Sequence, residues 1–123
     1  MGAARLMHEL AISRAILDQA IAHADGRPVL RVDMTVGALR QVAPDSLRFY
    51  FEILARGTVC EGAVLEPRRV AARLRCDCGA EWELAEPVFR CPACAGARIT
   101  VLHGDELRVE SIEVEEGQCT APR

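Results

Sequence analysis

The chain is short of several things, and each shortage closes off a class of function. No apolar run approaches the eighteen or more residues of a bilayer-spanning helix, and residues 1–6 lack the apolar stretch of an export signal. Positive charge is in deficit. Fifteen Lys and Arg stand against 18 Asp and Glu, for a net charge of −3 and a pI near 5.6, so the basic footprint of a nucleic-acid binder is missing. The three histidines, His8, His23 and His103, are far apart, no nucleophile stands beside a base, and no Gly-rich phosphate loop occurs. Aromatic residues make up 4% of the chain, and no repeat or low-complexity segment is visible. What remains is a half-hydrophobic chain of 123 residues with room for one domain, or one domain and a small lobe.

Cysteine is where the chain is well supplied. Four of its six form two close pairs, Cys76-Asp77-Cys78 and Cys91-Pro92-Ala93-Cys94, with twelve residues between Cys78 and Cys91. Two hairpin tips that each offer two thiolates can close a tetrahedral S₄ site, the arrangement that suits structural zinc. The roughly thirty residues around them are too few to bury a core of their own. Zinc can supply about 10–16 kcal/mol of folding free energy to such a segment. The second pair is the stronger signal, because the first has a single intervening residue. Residues i and i+2 of an extended chain still point the same way, so both thiolates stay available in a tighter knuckle. Disulfides or a redox pair are the alternative reading. Thiols at metal spacing in an unexported chain imply a reducing compartment, and the cytoplasm is the expected location. Cys60 has no partner nearby and reads as a small buried hydrophobe; Cys119 lies in the polar tail.

The remaining pattern predicts an α+β fold. A helix from His8 carries Leu10, Ser13, Leu17, Ala20, Ile21 and Ala24 on one side, and Gly26 and Pro28 end it. Residues 29–36 alternate as a half-buried strand with Leu30, Val32, Met34 and Val36 inward. Pro44 and Asp45 open a second helix with a Leu47, Tyr50, Phe51 and Leu54 stripe, closed by Gly57. Residues 64–74 are extended and run into Cys76; 99–102 and 107–114 read as strands, and 115–123 as an unstructured tail. Two helices therefore cover a small three-stranded sheet, with a zinc-ribbon-like lobe inserted. The expected boundaries are 7–71 with 101–116 for the α/β domain and 72–100 for the lobe, leaving 1–6 and 117–123 disordered.

Taken in order, Met7-His8-Glu9-Leu10, the strand ending Val36-Gly37, the second helix, the four-cysteine lobe and Gly104-Asp105-Glu106-Leu107 form a recognisable succession. It resembles the HypA/HybF family of hydrogenase maturation factors over roughly residues 7–116. The resemblance implies a small nickel metallochaperone rather than an enzyme. It implies Ni(II) on His8, with Met7 and Glu9 nearby, and a structural Zn(II) on Cys76, Cys78, Cys91 and Cys94. Delivery would run with a HypB-type GTPase to the large subunit of [NiFe]-hydrogenase, or to urease, from a monomer or weak homodimer. The chemistry is consistent: nitrogen donors favour Ni(II), and four thiolates in a closed tetrahedron leave no open catalytic position.

The chain departs from the family pattern twice. Six residues precede Met7, where the family begins its chain, and Met7 is expected to be the initiator. The Cys76-x-Cys78 gap is one residue, where the family usually has two; His103 or Glu81 would stand in if one thiolate failed to reach. Two other readings compete. A zinc ribbon docking nucleic acid or a transcription partner would use the local run Arg68, Arg69, Arg73 and Arg75, against the acidic total. A thiol-redox or catalytic metalloprotein would need exposed low-pKa thiols or an open zinc position.

Overall fold

The computed structural model describes residues 3–84, 89–115 and 117–120. Helix α1 spans Ala3–Ala24, strand β1 Val29–Gly37, a 3₁₀ turn Ala38–Arg40, and helix α2 Pro44–Ala55. Strands β2 (Val64–Val70), β3 (Ala72–Cys76), β4 (Glu81–Leu84), β5 (Ile99–His103), β6 (Leu107–Val114) and β7 (Gly117–Thr120) follow. They form a four-stranded sheet ordered β2-β1-β6-β7 and a three-stranded sheet ordered β4-β3-β5. The α+β class is as expected, but one sheet of three strands becomes two sheets of four and three.

The chain divides into two compact units, residues 1–34, 42–68 and 108–123 in the first, and 35–41 with 69–107 in the second. The first holds both helices. Its core is Ile12, Ile16, Leu17 and Ala20 of α1, Leu47 and Phe51 of α2, Val32 and Met34 of β1, and Ile112 of β6, all buried. Ser13, Leu17, Ala20 and Ala24 of the expected α1 stripe are buried, and the departure is at Leu10. Ile12 and Ile16 point inward, whereas Leu10 is 39% exposed. Leu30, expected on the inner face of β1, is exposed as well. The 3-and-4 spacing accommodates Leu10 as well as Ile12 beside the shared residues, and packing decides between them. Polar contacts then fix the elements: the Val109 N–H donates to Gln19 Oε1 at 3.4 Å and the Arg48 guanidinium to the Leu65 carbonyl at 3.2 Å.

Both chain ends carry more structure than hydropathy suggests. Helix α1 starts at Ala3, ahead of the expected His8, because Ala, Arg and Leu are strong helix formers that extend an existing helix at little cost. Residues 117–120 pair antiparallel with β6 as β7, Ile112 opposite Cys119 and Val114 opposite Gly117. Antiparallel pairing is made by backbone N–H and C=O groups, which an apolar pattern does not announce.

In the second unit β3 is the centre, with Leu74 opposite Trp82 of β4 and Val101 of β5. The 35–41 stretch joins this unit through backbone bonds, Gly37 N–H to Glu106 O at 2.7 Å and Leu39 N–H to Gly104 O at 2.8 Å. That approach requires glycine. A Cβ on Gly37 would lie 2.0 Å from the Gly104 oxygen, and one on Gly104, at φ +117°, would lie 2.6 Å from Ala72 Cα.

Candidate metal sites

The sulfur site is assembled from two tight turns and one strand end. Cys76 closes β3 and Cys78 sits in the turn to β4. There the Cys76 N–H donates to Ala80 O and the Gly79 N–H returns to Cys76 O, both at 2.9 Å. Gly79 takes φ +99°, a conformation open to glycine at no steric cost. The second knuckle repeats the scheme. Cys91 N–H donates to Gly96 O at 3.0 Å and Ala95 N–H to Cys91 O at 2.9 Å. A bond from Asp77 N–H to Arg98 O at 3.2 Å ties the first turn to the run leading into β5.

These turns bring all four sulfurs within 4.8 Å of one another. Cys76 and Cys94 are 3.6 Å apart, as are Cys78 and Cys91. Zinc–sulfur bonds of about 2.3 Å at tetrahedral angles set the sulfurs about 3.8 Å apart, so the cluster fits structural zinc, with its widest pair within about an ångström of the ideal spacing. Backbone N–H groups already face the sulfurs, Ala93 to Cys91 Sγ and Gly96 to Cys94 Sγ, each at 3.3 Å. Burial works against a thiolate at Cys91. Hydrogen bonds from the backbone of Cys94 and Ala93, joined by the neighbouring thiols, outweigh it and draw the thiol down to about 7. Such a sulfur is ready to ligate. Cys76 and Cys91 are buried, whereas Cys78 and Cys94 are exposed.

The one-residue gap is therefore accommodated, and neither proposed stand-in is called upon. Glu81 lies 3.4 Å from Arg73 in an ion pair, and His103 points its Nδ1 toward Glu106 at 3.7 Å. Cys60 is fully buried and its thiol is pushed up to about 11 by that burial, in keeping with a packing role. Cys119 has no described side chain to place.

The residues expected to carry nickel are placed differently. His8 lies in the second turn of α1, exposed to solvent. Glu9, its neighbour, is 5% exposed, and its Oε2 accepts the Ala43 N–H at 3.1 Å. The side chain of Met7 lies outside the described residues. The family model described as "Hydrogenase/urease nickel incorporation, metallochaperone, hypA" matches residues 7–114. The chain belongs to the HypA family.

Several HypA relatives are similar along nearly their whole length. The hydrogenase maturation factor HypA of Geotalea uraniireducens is 43% identical over 110 residues, covering 89% of this chain and all of that protein. That of Streptomyces avermitilis is 41% identical over 121 residues, covering 94% and 92%. That of Rippkaea orientalis is 40% identical over 111 residues, covering 89% and 97%. The fold is also that of the solution structure of the Ni metallochaperone HypA from Helicobacter pylori, with a TM-score of 0.62 over 86% of this chain and 96% of that one, at 20% identity. As a HypA chain, this protein is a nickel-incorporation metallochaperone of hydrogenase or urease maturation, carrying a four-thiol cluster that fits a structural zinc.

Sequence reasoning missed the partner of Glu9. An acid next to a candidate ligand looks like a second ligand; only the fold shows that its carboxylate faces the start of α2. A signal was available, since Glu9 and Ser13 share one face of α1 with Leu17 at four-residue intervals.

Proposed function

We propose that the chain carries Ni(II) on His8, with Met7 and Glu9 close by, and holds Zn(II) permanently on Cys76, Cys78, Cys91 and Cys94. Nickel belongs to the unit that contains both helices and zinc to the unit that contains β3, β4 and β5. The carried ion passes, with a HypB-type GTPase, to the large subunit of [NiFe]-hydrogenase or to urease, in the cytoplasm. The protein acts as a carrier and not as an enzyme, as a monomer or weak homodimer, without nucleic acid or membrane. No described helix is long and apolar enough to cross a bilayer.

The observation that supports this most is the exposure of His8 at the head of the stretch that matches the family. An imidazole is a good nickel donor, and an exposed ligand can be surrendered where a buried cage cannot. With α1 running from Ala3, only the first four helical N–H groups are free of intrahelical bonds. The nitrogens of Met7 and His8 fall beyond them, so the imidazole is the nitrogen on offer. A chain beginning at Met7 adds its terminal amine beside His8 and binds nickel more tightly. Calorimetric titration of Ni(II) into the 123-residue chain, the chain from Met7, and His8→Ala versions of both tests the reading. Equal affinity with and without His8 removes that residue from the carrier site.

A further inference from the structure

Two polar side chains are buried where α1 meets α2, and both are spent on the backbone of α2. Glu9 Oε2 accepts the N–H of Ala43 at 3.1 Å. One turn further on, the Ser13 hydroxyl donates to the Leu47 carbonyl at 3.4 Å. Glu9 is 5% exposed and Ser13 fully buried. The donors and acceptors match in spacing, because Glu9 and Ser13 are i and i+4 on one helix, as are Ala43 and Leu47 on the other. A side chain pair at that interval shares a face, so the two bonds form a ladder that admits a single register of α1 against α2.

The upper rung has a further property. Ala43 is the N-cap of α2 and supplies no capping side chain of its own. In a capping box the acid three residues into the helix reaches back to the N-cap N–H; in α2 that position is Ser46. Glu9 provides the carboxylate from another helix instead. A negative group there also meets the positive end of α2, which favours a buried carboxylate that would otherwise be costly.

We infer that Glu9 is a positioning residue for nickel capture: its carboxylate fastens the turn that bears His8 to the N-cap of α2, rather than serving as a donor to the ion. This rests on, and deepens, the reading of His8 as the nickel ligand. Adjacent residues of a helix do not share a face. His8 is exposed while Glu9 is buried, so the two side chains cannot close on one ion while this turn stays helical. The fastening holds the His8 turn in place before the metal arrives.

The test separates an oxygen that holds a backbone N–H from one that holds a metal. Glu9→Gln keeps a side-chain oxygen able to accept from Ala43, but an amide oxygen is a far weaker metal donor than a carboxylate. Ni(II) is titrated into the zinc-loaded 123-residue chain and its Glu9→Gln, Glu9→Ala, Ser13→Ala and His8→Ala variants, with circular dichroism and zinc content as checks on folding. Glu9→Gln should stay within about threefold of the parent and Glu9→Ala should lose about tenfold or more, the scale of one charge-assisted hydrogen bond. Ser13→Ala should fall between them. A Glu9→Gln loss as large as that of His8→Ala overturns the inference, and that comparison stands even if Glu9→Ala does not fold.

Amide exchange of Ala43 in nickel-free protein tests the fastening without nickel. Exchange should quicken by about tenfold in Glu9→Ala and little in Glu9→Gln; unchanged exchange in Glu9→Ala overturns it. Should His8→Ala leave nickel binding intact, the carrier reading of His8 falls and with it the role in capture, whatever the exchange shows.

Discussion

The two units stabilise themselves by different means. Phe51, Ile16, Leu17, Met34, Leu47 and Ile112 are all nearly inaccessible in the unit that contains the helices, while Leu74 is the one large apolar side chain buried to that degree among the described residues of the other. The first can fold on apolar burial, worth about 1.5–3 kcal/mol for each such residue. The second has short strands, two tight turns and four converging thiols, and a metal must provide what its core lacks. In the proposed reading, this difference is what makes the four-thiol site permanent and the His8 site transferable. A site that holds its own unit together cannot let its ion go without unfolding, whereas His8 stands on a helix already secured by other residues.

Removing zinc should break the comparison most strongly. A chelator, or Cys91→Ser, should abolish the protection of β3, β4 and β5 amides from exchange, a loss on the order of 10 kcal/mol to that unit. Helical circular dichroism from α1 and α2 should persist. Phe51→Ala is the reverse experiment. It should cost about 3–5 kcal/mol in denaturant titrations, with zinc content unchanged. Gly104→Ala should destabilise the zinc-loaded protein by about 1–3 kcal/mol, because a Cβ at φ +117° meets Ala72; thermal melts will show it.

Smaller effects sharpen the contrast. His8→Ala should leave unfolding free energy within about 0.5 kcal/mol of the parent. Nickel affinity should still fall at least about tenfold, the scale seen when even the support of a metal ligand is lost. Smallest of all, Arg14→Ala removes the exposed pair with Asp18 at 3.3 Å and should shift stability by less than about 0.5 kcal/mol, within the scatter of a melt.

The same contrast explains what could be seen without a structure. The Cys76, Cys78, Cys91 and Cys94 cluster was legible because metal ligands must be particular residues at short spacings, and a spacing survives in one dimension. The two helices, with their Pro44 start and their glycine stops, were legible for a similar local reason. Strand partnership was not. That β3 pairs with β4 and β5, and not with a strand of the larger sheet, depends on backbone pairing between separate segments, which alternation within one segment does not specify. Leu10 and Ile12 compete for the inner face of α1, and only the tertiary fit selects Ile12. Glu9 was legible as an acid in a motif, but its job depended on Ala43, thirty-four positions away.

Equilibrium dialysis against equimolar Ni(II) and Zn(II), followed by elemental analysis of the parent, His8→Ala and Cys91→Ser proteins, tests the central claim most directly. Two independent sites predict one zinc and one nickel per parent chain, zinc without nickel in His8→Ala, and loss of zinc with nickel retained in Cys91→Ser. Nickel that persists at full stoichiometry in His8→Ala, or that leaves together with zinc in Cys91→Ser, contradicts the account.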